Sequence, residues 1–172
     1  MNYLKHVKLL VFILPLVLGS CNNPRDEKTD TPNIILILSD DQAWDDYSFL
    51  GHEYIQTPNI DALAQQGLTF TQGYVPASLC RPSLASLVTG LYPHQHKILG
   101  NDPVVPDREK YTWGPEFLAV RAEYEKSNIE NFKSFETLPE LLDDKGYISF
   151  QTGKWWEGKP EDHGFDFALT HG

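Results

Sequence analysis

"NIILILSDD", residues 33–41, decides how the chain is read. Ile34 to Leu38 form an unbroken run of β-branched residues and leucine, which predicts a strand buried on both faces of a sheet; a half-exposed strand would alternate. Two carboxylates, Asp40 and Asp41, follow at once. The stretches after this one alternate in period. "TPNIDALAQQG", residues 57–67, offers Thr57 as N-cap, Pro58 at the first helical position and Gly67 as the stop. "LTFTQGYV", residues 68–75, alternates as a strand does. In "SLCRPSLASLVTG", residues 78–90, Pro82 can open a helix, and Leu84, Leu87, Val88 and Leu91 lie at the spacing of one helical face. Thr137 with Glu140 reads as a capping box for a helix that Gly146 ends. "YISFQTGKWW", residues 147–156, reads as a strand running into a loop.

Strands alternating with helices predict an α/β fold, a central mostly parallel β-sheet flanked by helices on both faces. Residues 101 to about 134 are charged and weakly periodic, and read as an excursion with one helix near Phe117 to Lys126. In open α/β sheets, sites form at the carboxyl ends of strands. Asp40 and Asp41 lie at one such end, and Lys154 follows another.

The chain has 172 residues, enough for one domain with a core and too few for two ordinary ones. A formal net charge of -10 argues against a nucleic-acid partner, because binding phosphates requires a basic face. The start, "MNYLKHVKLLVFILPLVLGSC", carries Lys5 and Lys8, an apolar stretch from Leu9 to Leu18, and small residues before Cys21. That layout predicts a signal peptide over residues 1–20 and is too short for a comfortable membrane span. Leu18-Gly19-Ser20-Cys21 resembles the bacterial lipobox, which implies export to the cell envelope (periplasm or outer-membrane surface) and a lipid on Cys21 as the only membrane attachment. Residues 21–32 are polar and unpatterned and read as a flexible tether, leaving 33–172 as the folded part.

With Cys21 assigned to lipid, Cys80 has no partner for a disulfide. It is either a small buried hydrophobe or present for its chemistry; at a helix start a thiol, or an oxygen derived from it, feels the positive end of the dipole. Adjacent carboxylates such as Asp40 and Asp41 repel unless neutralised; taken alone such a pair is usually a solvated acidic turn, and a hard divalent cation is the obvious neutraliser otherwise. Asp45 and Asp46 read as surface or capping residues. His94 and His96, two apart after a helix end, read as loop or supporting residues rather than metal ligands. Trp155 and Trp156 can flank a sugar ring or fill the core.

"CRPSLASLVTG" closely resembles the sulfatase signature Cys-x-Pro-Ser-(Arg)-x-x-x-x-Thr-Gly. "PNIILILSDD", "TPNIDALAQQGLTFTQGYV", "LYPH" and "GKWW" stand in that family's order and spacing. From residue 32 onward the chain is therefore similar to the N-terminal portion of a type I, formylglycine-dependent sulfatase of the alkaline-phosphatase-like superfamily. The resemblance implies hydrolysis of sulfate esters, with sulfated carbohydrate the substrate class expected for an envelope-tethered enzyme and a sulfated small molecule the alternative. It further implies that a maturation enzyme oxidises Cys80 to formylglycine. One oxygen of the hydrated aldehyde attacks sulfur as the substrate's alcohol leaves, and deprotonating the other collapses the hemiacetal, re-forming the aldehyde and expelling sulfate. Asp40 and Asp41, with the residue-80 side chain, would bind Ca²⁺ or Mg²⁺, and Lys154 would contact the sulfate group. Two positions depart from the pattern: Leu84 stands where the family has Arg, and Trp156 where it has His. The fold is expected to be incomplete at the C-terminus, with a second pair of metal ligands missing and little turnover from this chain alone. The rival readings are an inactive truncated sulfatase, a phosphoric-ester hydrolase of the same superfamily, for which Ser or Thr would be the usual nucleophile, and a carbohydrate-binding lipoprotein.

Overall fold

The computed structural model describes residues 31–170. The signal peptide expected over residues 1–20 and the lipidated Cys21 lie outside the described residues, as does nearly all of the 21–32 tether. The chain divides into two units, residues 1–39 and 40–172. In the first, the described residues form no regular secondary structure, and Ile34 to Leu38 are exposed, Ile35 and Ile37 at 83%. The strand expected there carries no ladder. Its residues favour a pleated surface with neighbours on both sides, and a lone strand has nothing to pair with.

The second unit is mainly helical. Its helices are α1 (Pro58–Gln66), α2 (Cys80–Thr89), α3 (Pro93–His96), α4 (Pro115–Phe132) and α5 (Leu138–Asp143). Helix α1 begins and ends as the sequence predicts, with Pro58 in its first turn and Gly67 donating its N–H to the Leu63 carbonyl. Thr57 does not cap with its side chain; its hydroxyl instead donates to Asp61 Oδ1 at 2.7 Å, and Ser48 Oγ donates to Asp61 Oδ2 at 2.6 Å. Helix α5 carries the expected capping box, the Thr137 N–H donating to Glu140 Oε2 at 2.7 Å. The helix predicted near Phe117–Lys126 is the middle of the longer α4. Residues 68–75, expected as a strand, are turns and irregular chain.

Among the described residues the sheet consists of β1 (Phe150–Gln151) and β2 (Phe167–Ala168), parallel, with Phe150 opposite Phe167. β1 lies inside the stretch predicted as a strand. The connection between them includes a 3₁₀ turn, Pro160–His163, closed by Gly164 at φ +81°.

Ala85, Ile98 and Phe132 form the buried core, with Val88, Phe135 and Trp155 packed against it. The inward face of helix α2 is rotated from the predicted apolar stripe, which keeps Leu84 and Val88 half-buried. Arg81, Pro82, Ala85 and Ser86 are buried, whereas Leu87 stays exposed. The cause is Arg81, whose guanidinium needs carboxylates and finds them on the inner side, on Glu157 and Glu125.

Candidate active site

Cys80 opens helix α2. Its helix ends in Thr89-Gly90 for local reasons: Thr89 Oγ1 donates to the Ala85 carbonyl at 2.7 Å, and Gly90 takes the left-handed conformation (φ +69°) that closes the helix. At the other end Pro82 lies in the first turn, where a missing N–H leaves no intrahelical bond unmade. The Arg81 N–H is satisfied from outside, donating to the Asn101 side-chain oxygen at 3.0 Å.

Half-buried Cys80 meets both acids. Its thiol donates to Asp40 Oδ1 at 3.4 Å, and the donor atoms of Asp40, Asp41 and Cys80 all lie within 4.8 Å of one another. Asp41 sits in left-handed backbone (φ +54°), one of the few non-glycine residues to do so. Such strain is retained where surroundings fix it, and it often marks a site. Lys154 arrives from the loop after β1. Its Nζ donates to Asp40 Oδ2 at 2.5 Å, lies 3.8 Å from Cys80 Sγ, and stands 5.1 Å from the centre of the Trp156 ring.

Electrostatics follow from these contacts. The hydrogen bond from Lys154, joined by the one from Cys80, holds the Asp40 carboxyl below its ordinary range. The same bond, aided by the nearby Cys80 and Asp41, holds the Lys154 ammonium above its own. Asp40 is therefore an anion and Lys154 a cation at neutral pH. Paired carboxylate oxygens beside a residue-80 side chain are a donor set that fits a hard divalent cation. All four residues singled out from the sequence thus converge.

The other residues singled out from the sequence take supporting places. His96 is fully buried, accepts the Ile98 N–H on Nδ1 at 3.1 Å, and pairs through Nε2 with Ser86 Oγ at 3.0 Å. With Nδ1 accepting, Nε2 carries the proton and donates to the hydroxyl, so this pair cannot activate Ser86. His94 is exposed and stacks on Tyr92. Asp46 caps a turn, accepting the Ala43 N–H at 2.9 Å. Trp155 packs edge-to-face against Phe132 and Phe165 and fills core, while Trp156 lies beneath Lys154.

Sequence reasoning missed Glu157. It binds Arg81 in a fork, accepting from Nε at 2.6 Å and Nη2 at 2.8 Å, while Nη1 reaches Glu125 Oε2 at 2.9 Å. The one signal was position: Arg81 next to Cys80, and Glu157 three residues after Lys154. Leu84 and Trp156 line one small cavity together with Arg81 and Glu157.

Residues 32–172 match the family model described as Sulfatase. The chain is 31% identical over 158 residues to an N-acetylglucosamine-6-O-sulfatase of Bacteroides thetaiotaomicron, covering 92% of this chain and 24% of that protein. It is 36% identical over 140 residues to the N-acetylgalactosamine-6-sulfatase of Homo sapiens, covering 78% of this chain and 24% of that one. Its backbone is similar to the crystal structure of Ps i-CgsB in complex with k-i-k-neocarrahexaose, at 33% identity and a TM-score of 0.58, covering 82% of this chain and 28% of the other. The chain thus spans about a quarter of the length of the proteins it matches. The fold it shares with them is the α/β, alkaline-phosphatase-like one. On these grounds the chain belongs to the sulfatase family.

Proposed function

We propose that this chain supplies the nucleophile, the first metal ligands and a substrate cation of a sulfuric ester hydrolase acting on sulfated carbohydrate. One observation carries the reading: the convergence of Cys80, Asp40, Asp41 and Lys154, brought together from three separate parts of the sequence. Formylglycine made from Cys80 by a maturation enzyme supplies an oxygen nucleophile that can release its own sulfate. Asp40, Asp41 and the residue-80 side chain would hold Ca²⁺ or Mg²⁺, which would supply charge compensation for sulfate oxygens.

The remaining work belongs to the chain's own groups. Helix α2 presents residue 80 from its first turn, so the positive end of the helix faces the incoming anion. Lys154 gives a sulfate oxygen a charged donor, which matters in a protein whose net charge of -10 repels anions overall. Asp40 keeps that ammonium in place. Trp156 lies against the same ammonium with its apolar ring, and favours a bound sugar face over bulk water there. Sulfated glycan as substrate class is supported by the relatives named for amino-sugar sulfates and by the carrageenan-type oligosaccharide in the solved neighbour. Export and a lipid on Cys21 are supported by the Leu-Gly-Ser-Cys stretch alone.

The test uses the full-length protein produced with a formylglycine-generating enzyme. Mass spectrometry of the residue-80 peptide should show the thiol converted to an aldehyde. Sulfate release from sulfated oligosaccharides should be lost on chelation and in Cys80→Ala, with phosphate esters turned over far more slowly. Sulfate release that survives both the chelator and Cys80→Ala would overturn the reading.

A further inference from the structure

Arg81 and Glu157 are the least exposed charged side chains near the site, at 1% and 4%. Burying an ion pair of this kind is expensive, and well-packed apolar residues of similar volume usually serve a fold as well or better. Stability alone therefore does not call for it. Its placement supplies another reason. Arg81 is bonded directly to Cys80, and Glu157 is three residues from Lys154, so one forked contact joins the backbone that carries the thiol to the loop that carries the ammonium.

The loop needs such a contact. Gly153 (φ +97°) and Gly158 (φ +72°) bracket Lys154 to Glu157, placing freely rotating backbone at both ends of the segment. Trp155 holds the segment to the core through ring packing against Phe132 and His163, which is weakly directional. The Arg81–Glu157 fork is directional: two parallel N–H to oxygen bonds fix distance and plane together. Two further contacts hold the fork still. Glu125 on α4 accepts from Arg81 Nη1, and the buried His163 Nε2 lies 2.7 Å from the Glu157 carbonyl. The Asn101 side chain fixes the Arg81 backbone from the other side.

We infer that the buried Arg81–Glu157 fork sets the separation between the residue-80 side chain and Lys154, making Arg81 and Glu157 positioning residues for that pair. Both carboxylates of the cluster are bound to Arg81, so the fork acts through Lys154 and residue 80 rather than on substrate. The inference rests on the sulfatase reading only where turnover is measured.

The experiment compares, in the full-length protein, Glu157→Asp and Arg81→Lys, which keep the charges but break the fork, and the apolar double variant Arg81→Met/Glu157→Met. Each is tested for cooperative thermal unfolding, crystallised, and assayed on a sulfate ester alone and combined with Lys154→Ala. The expected result is a folded protein in which Lys154 Nζ has withdrawn from residue 80. Turnover should fall by about 100-fold, as a misplacement near 1 Å can cost, with no further loss when Lys154→Ala is added. Where the double variant fails to fold, either conservative variant decides. A folded variant with Lys154 still against residue 80 overturns the inference, as do losses that simply multiply with that of Lys154→Ala. A parent protein that releases no sulfate refutes the sulfatase reading, while the crystallographic separation still decides the role of the fork.

Discussion

Lys154 holds its position between an acid and a thiol, bridging Asp40 and approaching Cys80 within 3.8 Å. Its type and place were legible in the sequence, since a lysine just past a strand in an α/β chain falls at the site end of the sheet. Arg81 was not legible in the same way. Nothing in "CRPS" tells whether the guanidinium turns toward the nucleophile or away. It turns away because Glu157 and Glu125, distant in sequence, meet it inside; burial opposes its charge, and these two carboxylates outweigh burial and hold it above its ordinary value. His96 yields a prediction at this scale. Burial pushes its pKa below the ordinary histidine range. Its neutral form is thus the folded one, and the unfolded chain takes up the proton first as pH falls. The stability it contributes is complete above about pH 6.5 and declines toward the lower folded value, by at most about 1.4 kcal/mol per pH unit. His96→Gln keeps an acceptor for the Ile98 N–H and a donor for Ser86. Urea unfolding between about pH 6.5 and 5 should therefore show a shallower loss of stability in the variant than in the parent.

At the scale of elements, short-range signals were read well where both partners lie within one turn. The capping box of α5 joins residues three apart, and Gly67 ends α1 with its N–H bonded to the Leu63 carbonyl one turn back. The inward face of α2 includes Val88 of the apolar stripe but is rotated toward Arg81, because apolar spacing says which residues can be buried, not which carboxylates wait on the inner side. Gly164 shows how one element constrains another. At φ +81°, a Cβ there would stand 2.6 Å from Glu140 Cγ and 2.7 Å from the Glu140 backbone nitrogen, inside the α5 capping box. Gly164→Ala combines backbone strain with that clash. It should cost about 1–3 kcal/mol in urea unfolding, and an unchanged midpoint would mean that the turn and α5 part freely.

Over the whole molecule, apolar surface stays uncovered. Ile35, Ile37, Ile148 and Leu169 are each at least 74% exposed, and Phe150 and Phe167 on the two short strands are more than half exposed. Surface of this kind is an association hazard in a protein standing alone. The 172-residue chain expressed by itself should bind a hydrophobic dye and self-associate, and Ile35→Lys with Ile37→Lys should raise the monomer fraction in size-exclusion chromatography. A monomeric parent that binds no dye would show that this surface is covered in solution. The sequence by itself determined the family and with it the α/β class, the start of α5 and the stop of α1, and it singled out Cys80, Asp40, Asp41 and Lys154, because each rests on cap chemistry or a dense short signature; the α5 helix ends at Asp143, three residues before the Gly146 expected to stop it. Tertiary structure alone decided that these four converge, that Arg81 is spent on Glu157, and which side of α2 is buried. Those outcomes depend on partners dozens of residues apart, whose meeting is fixed by packing and charge pairing in space rather than by spacing along the chain.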